Sequence, residues 1–289
     1  MVWLIVALAV YVLILIGVSL LSLHPYRIPI FMSPGALGCS QEDVEFESKD
    51  GVKLRGWWVD VPDARAVAIL SHGYMMNRSE LSPLAPLLTS MGIACLVYDF
   101  RAHGRSGGKK SYLGFREADD VGAAIAFAKS KHPGAKIVLI GSSMGAAASA
   151  LFAGNHPGAV DALVLDSAYA RLSSAVLGWW RFLGGVPLSM ILAPATLLAV
   201  PFAGFNPWSV DVSKALKNAG PIPILFLHGE TDPLALPAEA KANQAASEGP
   251  ITTVWFPNCG HSEGRWVRPT LYNESLVAFL KSFVIGAKS

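Results

Sequence analysis

The chain has 289 residues, 52% of them hydrophobic and 15% charged, with a formal net charge of +2. That length and apolar content exclude a disordered polypeptide and fit one α/β domain with a sizeable core. Scattered Lys and Arg without a basic stripe exclude a nucleic-acid binder, and three cysteines (Cys39, Cys95, Cys259) offer neither metal spacing nor a disulfide framework.

Val2 to Leu23 carries no charge. As a helix it would reach about 33 Å, enough for a hydrocarbon core of about 30 Å. Trp3, Tyr11 and Tyr26 include candidate interfacial anchors. A cleaved signal peptide would need a basic start and a small-x-small cleavage site, and Leu20 to His24 supplies none. The run is apolar on every face, which argues against a buried soluble helix. The expectation is a single-pass membrane anchor over 1–23. Arg27 is the only nearby side-chain charge, and the positive-inside rule then leans towards a cytoplasmic catalytic domain.

Residues 24–40 hold Pro25, Pro29, Pro34, Gly35 and Gly38 and read as an irregular linker. The main domain is expected over 41–289. It opens with two strands, Val44 to Ser48 and Val52 to Val61, joined at Lys49-Asp50-Gly51 as an edge hairpin. Trp57 and Trp58 face opposite sides of the second strand, in structural roles.

From Ala66 short apolar strands alternate with helices. The strands are Val67–Leu70, Ile93–Tyr98, Lys136–Ile140 and Val160–Leu165, and later Ile222–Leu227 and Ile251–Phe256. The helices are Ser79–Ser90, broken near Pro83 and Pro86, then Phe115–Ser130, Ser143–Asn155, Pro237–Ser247 and Thr270–Val284. Fully apolar strands alternating with helices predict a mainly parallel sheet with helices on both faces. Ligands bind such sheets at the C-terminal ends of the strands. The stretch from about 170 to 213 breaks the alternation with Pro187, Pro194 and Pro201 and predicts an apolar lid of short helices rather than a second spanning helix.

The polar motifs all follow strands. Gly141-Ser142-Ser143-Met144-Gly145 lies between a strand and a helix, the context of a nucleophile elbow. A serine hydroxyl needs a base, and the base needs an acid to hold its tautomer. Asp232 and His261 follow Ser143 in the order Ser, acid, His, each just after a strand. Glu230 and Asp166 are rival acids. His72 and His103 read as braces for their loops, His228 as a group behind the site, and Cys259 as a packing residue near His261. The backbone N–H groups of Tyr74 and Met144 are the candidate oxyanion donors.

Ser71-His72-Gly73-Tyr74, Asp99-Phe-Arg-Ala-His-Gly-Arg-Ser106, the Ser143 elbow, His228-Gly-Glu-Thr-Asp232 and Gly260-His261 together resemble the α/β-hydrolase superfamily, in particular its membrane-tethered Bem46-like and YqkD-like serine hydrolases. The resemblance covers about residues 44 to 285. It implies an α/β-hydrolase fold with eight strands, a serine nucleophile and no cofactor. Ala102 departs from relatives that often carry Gly there, which puts the local backbone in question. The expected activity is hydrolysis of an ester or thioester of a hydrophobic acyl substrate through an acyl-enzyme. A peptidase or amidase of the same fold and a non-catalytic membrane-tethered binding protein are the alternatives.

Overall fold

A computed structural model describes residues 1–286. Eight strands form one sheet: β1 (Glu42–Glu47), β2 (Lys53–Val59), β3 (Ala66–Ser71), β4 (Ile93–Asp99), β5 (Lys136–Ser142), β6 (Ala162–Asp166), β7 (Ile224–Gly229) and β8 (Ile251–Phe256). Their order is β1-β2-β4-β3-β5-β6-β7-β8. β1 and β2 pair antiparallel across the expected hairpin, β2 lies antiparallel to β4, and every later pair is parallel. The helices are α1 (Val2–Leu23), α2 (Ala85–Ser90), α3 (Glu117–Lys131), α4 (Met144–Asn155), α5 (Leu172–Ala203), α6 (Val212–Asn218), α7 (Pro237–Ala246), α8 (Gly264–Val267) and α9 (Pro269–Leu280).

The central strands are buried on both faces, and their side chains alternate between two cores. Val67 and Ile69 of β3 pack with α3, α4 and α6 on one face. Ala68 and Leu70 pack with α2 and α9 on the other. That two-sided burial is why these strands read as continuous apolar runs. Trp57 and Trp58 are both buried. Trp57 carries the Arg78 guanidinium over its ring, and Trp58 joins the α3 core. The helix expected from Ser79 is instead two short 3₁₀ turns, Arg78–Glu80 and Ser82–Leu84, followed by α2. Pro83 and Pro86 thus each sit in a first turn, where no intrahelical N–H is required.

α5 is not a straight rod. The Ser189 hydroxyl donates to the Leu177 carbonyl at 3.0 Å, whereas twelve residues along a straight helix would hold them about 18 Å apart. The chain folds back at Gly184 (φ −153°, ψ 23°) and Gly185 (φ 72°, ψ −171°). The result is a helical hairpin with arms 172–183 and 186–203. Pro187 falls in the first turn of the second arm, while Pro194 and Pro201 lie inside it.

α1 is long and apolar enough to cross a membrane, but its C-terminal half is docked. Leu15, Ser19 and Leu23, spaced one turn apart, are buried. Leu15 packs with Trp180, Leu192 and Ala195 of the hairpin. The Ser19 hydroxyl donates to the Ala195 carbonyl at 2.8 Å and the Tyr11 hydroxyl to Ile191 at 2.6 Å. The first ten residues are exposed. Residues 24–40 hold one 3₁₀ turn, Gly35–Leu37, and are pinned to the rest of the chain. The Arg27 guanidinium donates to the carbonyls of His103, Gly104, Ser106 and Gly108 at 2.7–3.1 Å.

Candidate active site

β5 delivers Ser143 to the sheet edge in a strained conformation, φ 51° and ψ −113°, immediately before α4. The flanking glycines are required by space. A Cβ on Gly145 would lie 2.0 Å from the Ser71 carbonyl oxygen, and one on Gly141 would lie 2.4 Å from the Ala146 nitrogen. So constrained, Ser143 projects its Oγ to 2.7 Å from His261 Nε2. His261 Nδ1 lies 2.8 Å from Asp232 Oδ2. Asp232 is itself fixed, because its Oδ1 accepts the N–H groups of Leu234 (2.8 Å) and Ala235 (2.9 Å). The loops after β5, β7 and β8 therefore bring Ser143, Asp232 and His261 into one hydrogen-bonded chain. Neither Glu230 nor Asp166 is hydrogen-bonded to the imidazole.

Tyr74 and Met144 line the cavity in front of Ser143. Among the described residues no acceptor takes the backbone N–H of either one. The loop carrying Tyr74 is held by two buried histidines, His72, expected as its brace, and His103, which reaches over from the glycine-rich loop. His72 accepts the Phe100 N–H at Nε2 (3.0 Å) and donates from Nδ1 to the Gly73 carbonyl (2.7 Å). Burial holds its pKa below the ordinary value of 6.5. His103 accepts the Met75 N–H at 3.3 Å and donates to the Arg101 carbonyl at 2.8 Å. Burial, aided by His72, pushes it down to about 3. His228 donates from Nε2 to Ala235, behind Asp232. Cys259 is buried, with its sulfur 3.6 Å from the Pro257 carbonyl. Ala102, the departure noted in the sequence, sits at φ 62°, a left-handed position that glycine occupies freely and alanine does at a cost of about 1 kcal/mol.

One group escaped the sequence reading. Glu80, buried at the end of the first 3₁₀ turn, accepts the Gly73 N–H at 2.6 Å with one oxygen and the Ser142 hydroxyl at 2.8 Å with the other. The Arg265 guanidinium also pairs with Glu80 and reaches Asp166 at 3.0 Å. Burial opposes ionisation of Glu80, but Arg265 and the Gly73 N–H outweigh it and hold its pKa below the usual carboxylate range. Asp166 is raised by burial. This ion cluster joins the Tyr74 loop, the elbow, the end of β6 and the His261 segment. No local pattern marks it, since Glu80 and Arg265 are 185 residues apart.

The cavity at Ser143 measures about 290 Å³ and is mainly apolar, roofed by Val176, Trp179 and Trp180 of the α5 hairpin. α1 contributes to it through Ser22, whose carbonyl accepts the Tyr74 hydroxyl at 2.8 Å. Among the described residues, no cluster of three or more His, Cys, Asp or Glu side chains is placed to hold a metal ion.

A family model described as serine aminopeptidase, S33, matches residues 62–200. An esterase of Pyrococcus furiosus superposes with a TM-score of 0.74 at 25% identity, over 91% of this chain and 99% of that one. The chain belongs to the α/β-hydrolase superfamily. Among its superfamily relatives, YfhR of Escherichia coli K12, an uncharacterized protein, is 27% identical over 84% of this chain and 81% of its own length. YqkD of Bacillus subtilis, also uncharacterized, is 26% identical over 80% and 76%. A monoacylglycerol lipase of Mycolicibacterium smegmatis is 25% identical over 61% and 74%. Within the superfamily, the chain falls among esterase- and lipase-like hydrolases.

Proposed function

We propose that the protein is a serine hydrolase that cleaves esters of hydrophobic acyl groups through an acyl-enzyme, and that α1 attaches it to a membrane. The observation that carries this reading is the chain of hydrogen bonds from Ser143 through His261 to Asp232, at 2.7 and 2.8 Å. Ser143 Oγ attacks the carbonyl carbon while His261 Nε2 takes its proton. Asp232 keeps the other imidazole proton on Nδ1 and stabilises the imidazolium. The oxyanion receives the free N–H groups of Tyr74 and Met144. Collapse breaks the bond to the leaving oxygen, which takes the proton from His261. Water, deprotonated by His261, then releases the acyl group and restores Ser143.

An aminopeptidase would need a free carboxylate in the cavity for the substrate ammonium. Glu80 is occupied by Gly73, Ser142 and Arg265, and Glu263, which accepts the Gly260 N–H with one oxygen, is exposed to solvent. The apolar roof favours an acyl chain instead. The test is Ser143→Ala, expected to lower hydrolysis of p-nitrophenyl butyrate by about 10⁴-fold or more and to abolish labelling by a fluorophosphonate probe. Full activity in that variant would overturn the mechanism. Resistance of α1 to alkaline carbonate extraction tests the attachment.

A further inference from the structure

A second, narrow space of about 30 Å³ lies in the seam between α1 and the second arm of the α5 hairpin. It shares walls with the Ser143 cavity at Ser22, Leu113, Leu172, Val176 and Trp180, so the two are neighbours across common side chains. Its remaining walls include Ala195, Ala199 and Ala203 of α5, short side chains that leave room between helices. Besides the paired hydroxyls of Ser19 and Ser22, two residues of this lining hold unpaired polar atoms. Thr196 Oγ1 and Trp180 Nε1 are buried without a hydrogen-bond partner, in residues only 5% and 9% exposed. Buried polar atoms in native proteins are nearly always paired, so two orphans in one seam mark it as an incompletely packed contact.

The seam is also built to open. Between α1 and the second arm only two hydrogen bonds are made, from Tyr11 and Ser19. The arm joins the first one through the two non-helical residues Gly184 and Gly185. The face of α1 turned away from the hairpin is apolar and exposed, with Leu13 at 67% and Leu21 at 72%. A solvent-facing surface of that kind is suited to hydrocarbon.

Resting on the acyl-transfer reading above, we infer that the seam between α1 and the second arm of α5 is the binding arm for the fatty-acyl chain of an ester drawn from the bilayer. The N-terminal helix is then part of the substrate site as well as an attachment. The scissile carbonyl lies at Ser143, the first methylenes under Trp179 and Trp180, and the rest of the chain parts α1 from the hairpin. Short acyl groups end before the seam and do not sense it.

Ala199 lines the seam and is absent from the Ser143 cavity. In the full-length protein, Ala199→Phe should leave kcat/KM for p-nitrophenyl butyrate within about twofold. For p-nitrophenyl palmitate carried in phosphatidylcholine vesicles it should fall tenfold or more. An unchanged palmitate rate, or equal losses on both esters, overturns the inference. Should Ala199→Phe fold poorly, Ala199→Leu gives the same ordering with a smaller drop. A direct measurement needs no catalysis: Ser143→Ala incubated with a palmitate ester bearing a terminal diazirine should photolabel peptides within 11–23 and 192–203. Labelling confined to other segments refutes the seam. Absence of any ester hydrolysis or fluorophosphonate labelling by the unaltered protein would instead refute the serine-hydrolase reading.

Discussion

Glu80→Gln removes one charge and almost no volume from the cluster that joins the loops around Ser143. Arg265, 7% exposed at its side chain, keeps only Asp166 as an anionic partner. Breaking one half of a buried ion pair costs about 3–5 kcal/mol, because the remaining charge stays buried. The amide still accepts one hydrogen bond, so the lower end, about 3 kcal/mol, is expected. At about 2–4 °C per kcal/mol that is a fall of roughly 10 °C in Tm. The activity effect follows from Gly73. Its N–H, held by Glu80 at 2.6 Å, fixes the peptide that leads to the Tyr74 N–H. Loosening this proposed oxyanion donor, worth about 3 kcal/mol, should lower kcat by 10- to 100-fold with little change in KM. Differential scanning fluorimetry reads the first effect. Butyrate hydrolysis and the rate of fluorophosphonate labelling read the second. Glu80→Gln with Arg265→Met should regain part of the stability, since Asp166, already raised by burial, can then take up a proton. A single variant with unchanged Tm and labelling rate, or a double variant less stable than the sum of its parts, would refute this account of the cluster.

Two other perturbations test separate parts of the structure. His103 is neutral in the fold because burial pushes it down to about 3, while in the unfolded chain it titrates near 6.5. As pH falls below 6.5 the unfolded state takes the proton first, so native stability drops by about 1.4 kcal/mol per pH unit until the folded value is reached. His103→Gln removes that uptake, and urea titrations at pH 6.5 and 5 should show the gap between the two proteins change by about 2 kcal/mol in the variant's favour. Gly185→Ala places a side chain at φ 72°, ψ −171°, a region essentially reserved for glycine and costing about 1–3 kcal/mol. The strain is local to the hairpin turn, so limited trypsin cleavage after Arg181 should accelerate while the Tm of the sheet domain stays within a few degrees.

Much of the scaffold could be read from local pattern. β3 to β7 are apolar because both faces are covered, and each chemical motif follows a strand because parallel strands share one exit edge. Gly141 and Gly145 were informative for the same reason: no other residue fits the backbone contacts they make. The rest depends on contacts between distant segments. Glu80 and Arg265 look like surface charges in sequence, and only the meeting of the β3 and β8 loops buries them together. The hairpin turn was hidden because the prolines drew the eye, whereas the reversal is made by Gly184 and Gly185. α1 presents the composition of a free anchor, and its docking depends on Leu15, Ser19 and Leu23, of which the two leucines are indistinguishable by hydropathy from their neighbours.

The carbonyl of Ser22 accepting the Tyr74 hydroxyl has a practical consequence for anyone preparing this protein. A truncated form beginning at residue 24 is the natural choice for crystallisation or high-throughput screening, because it discards the greasiest segment. Such a form would lose one side of the chamber, strand the tyrosine without its acceptor and bare the flank of Trp180. Its preference among compounds would be that of an open cleft. Inhibitor campaigns and specificity surveys therefore belong on the intact polypeptide, reconstituted in nanodiscs or mild detergent.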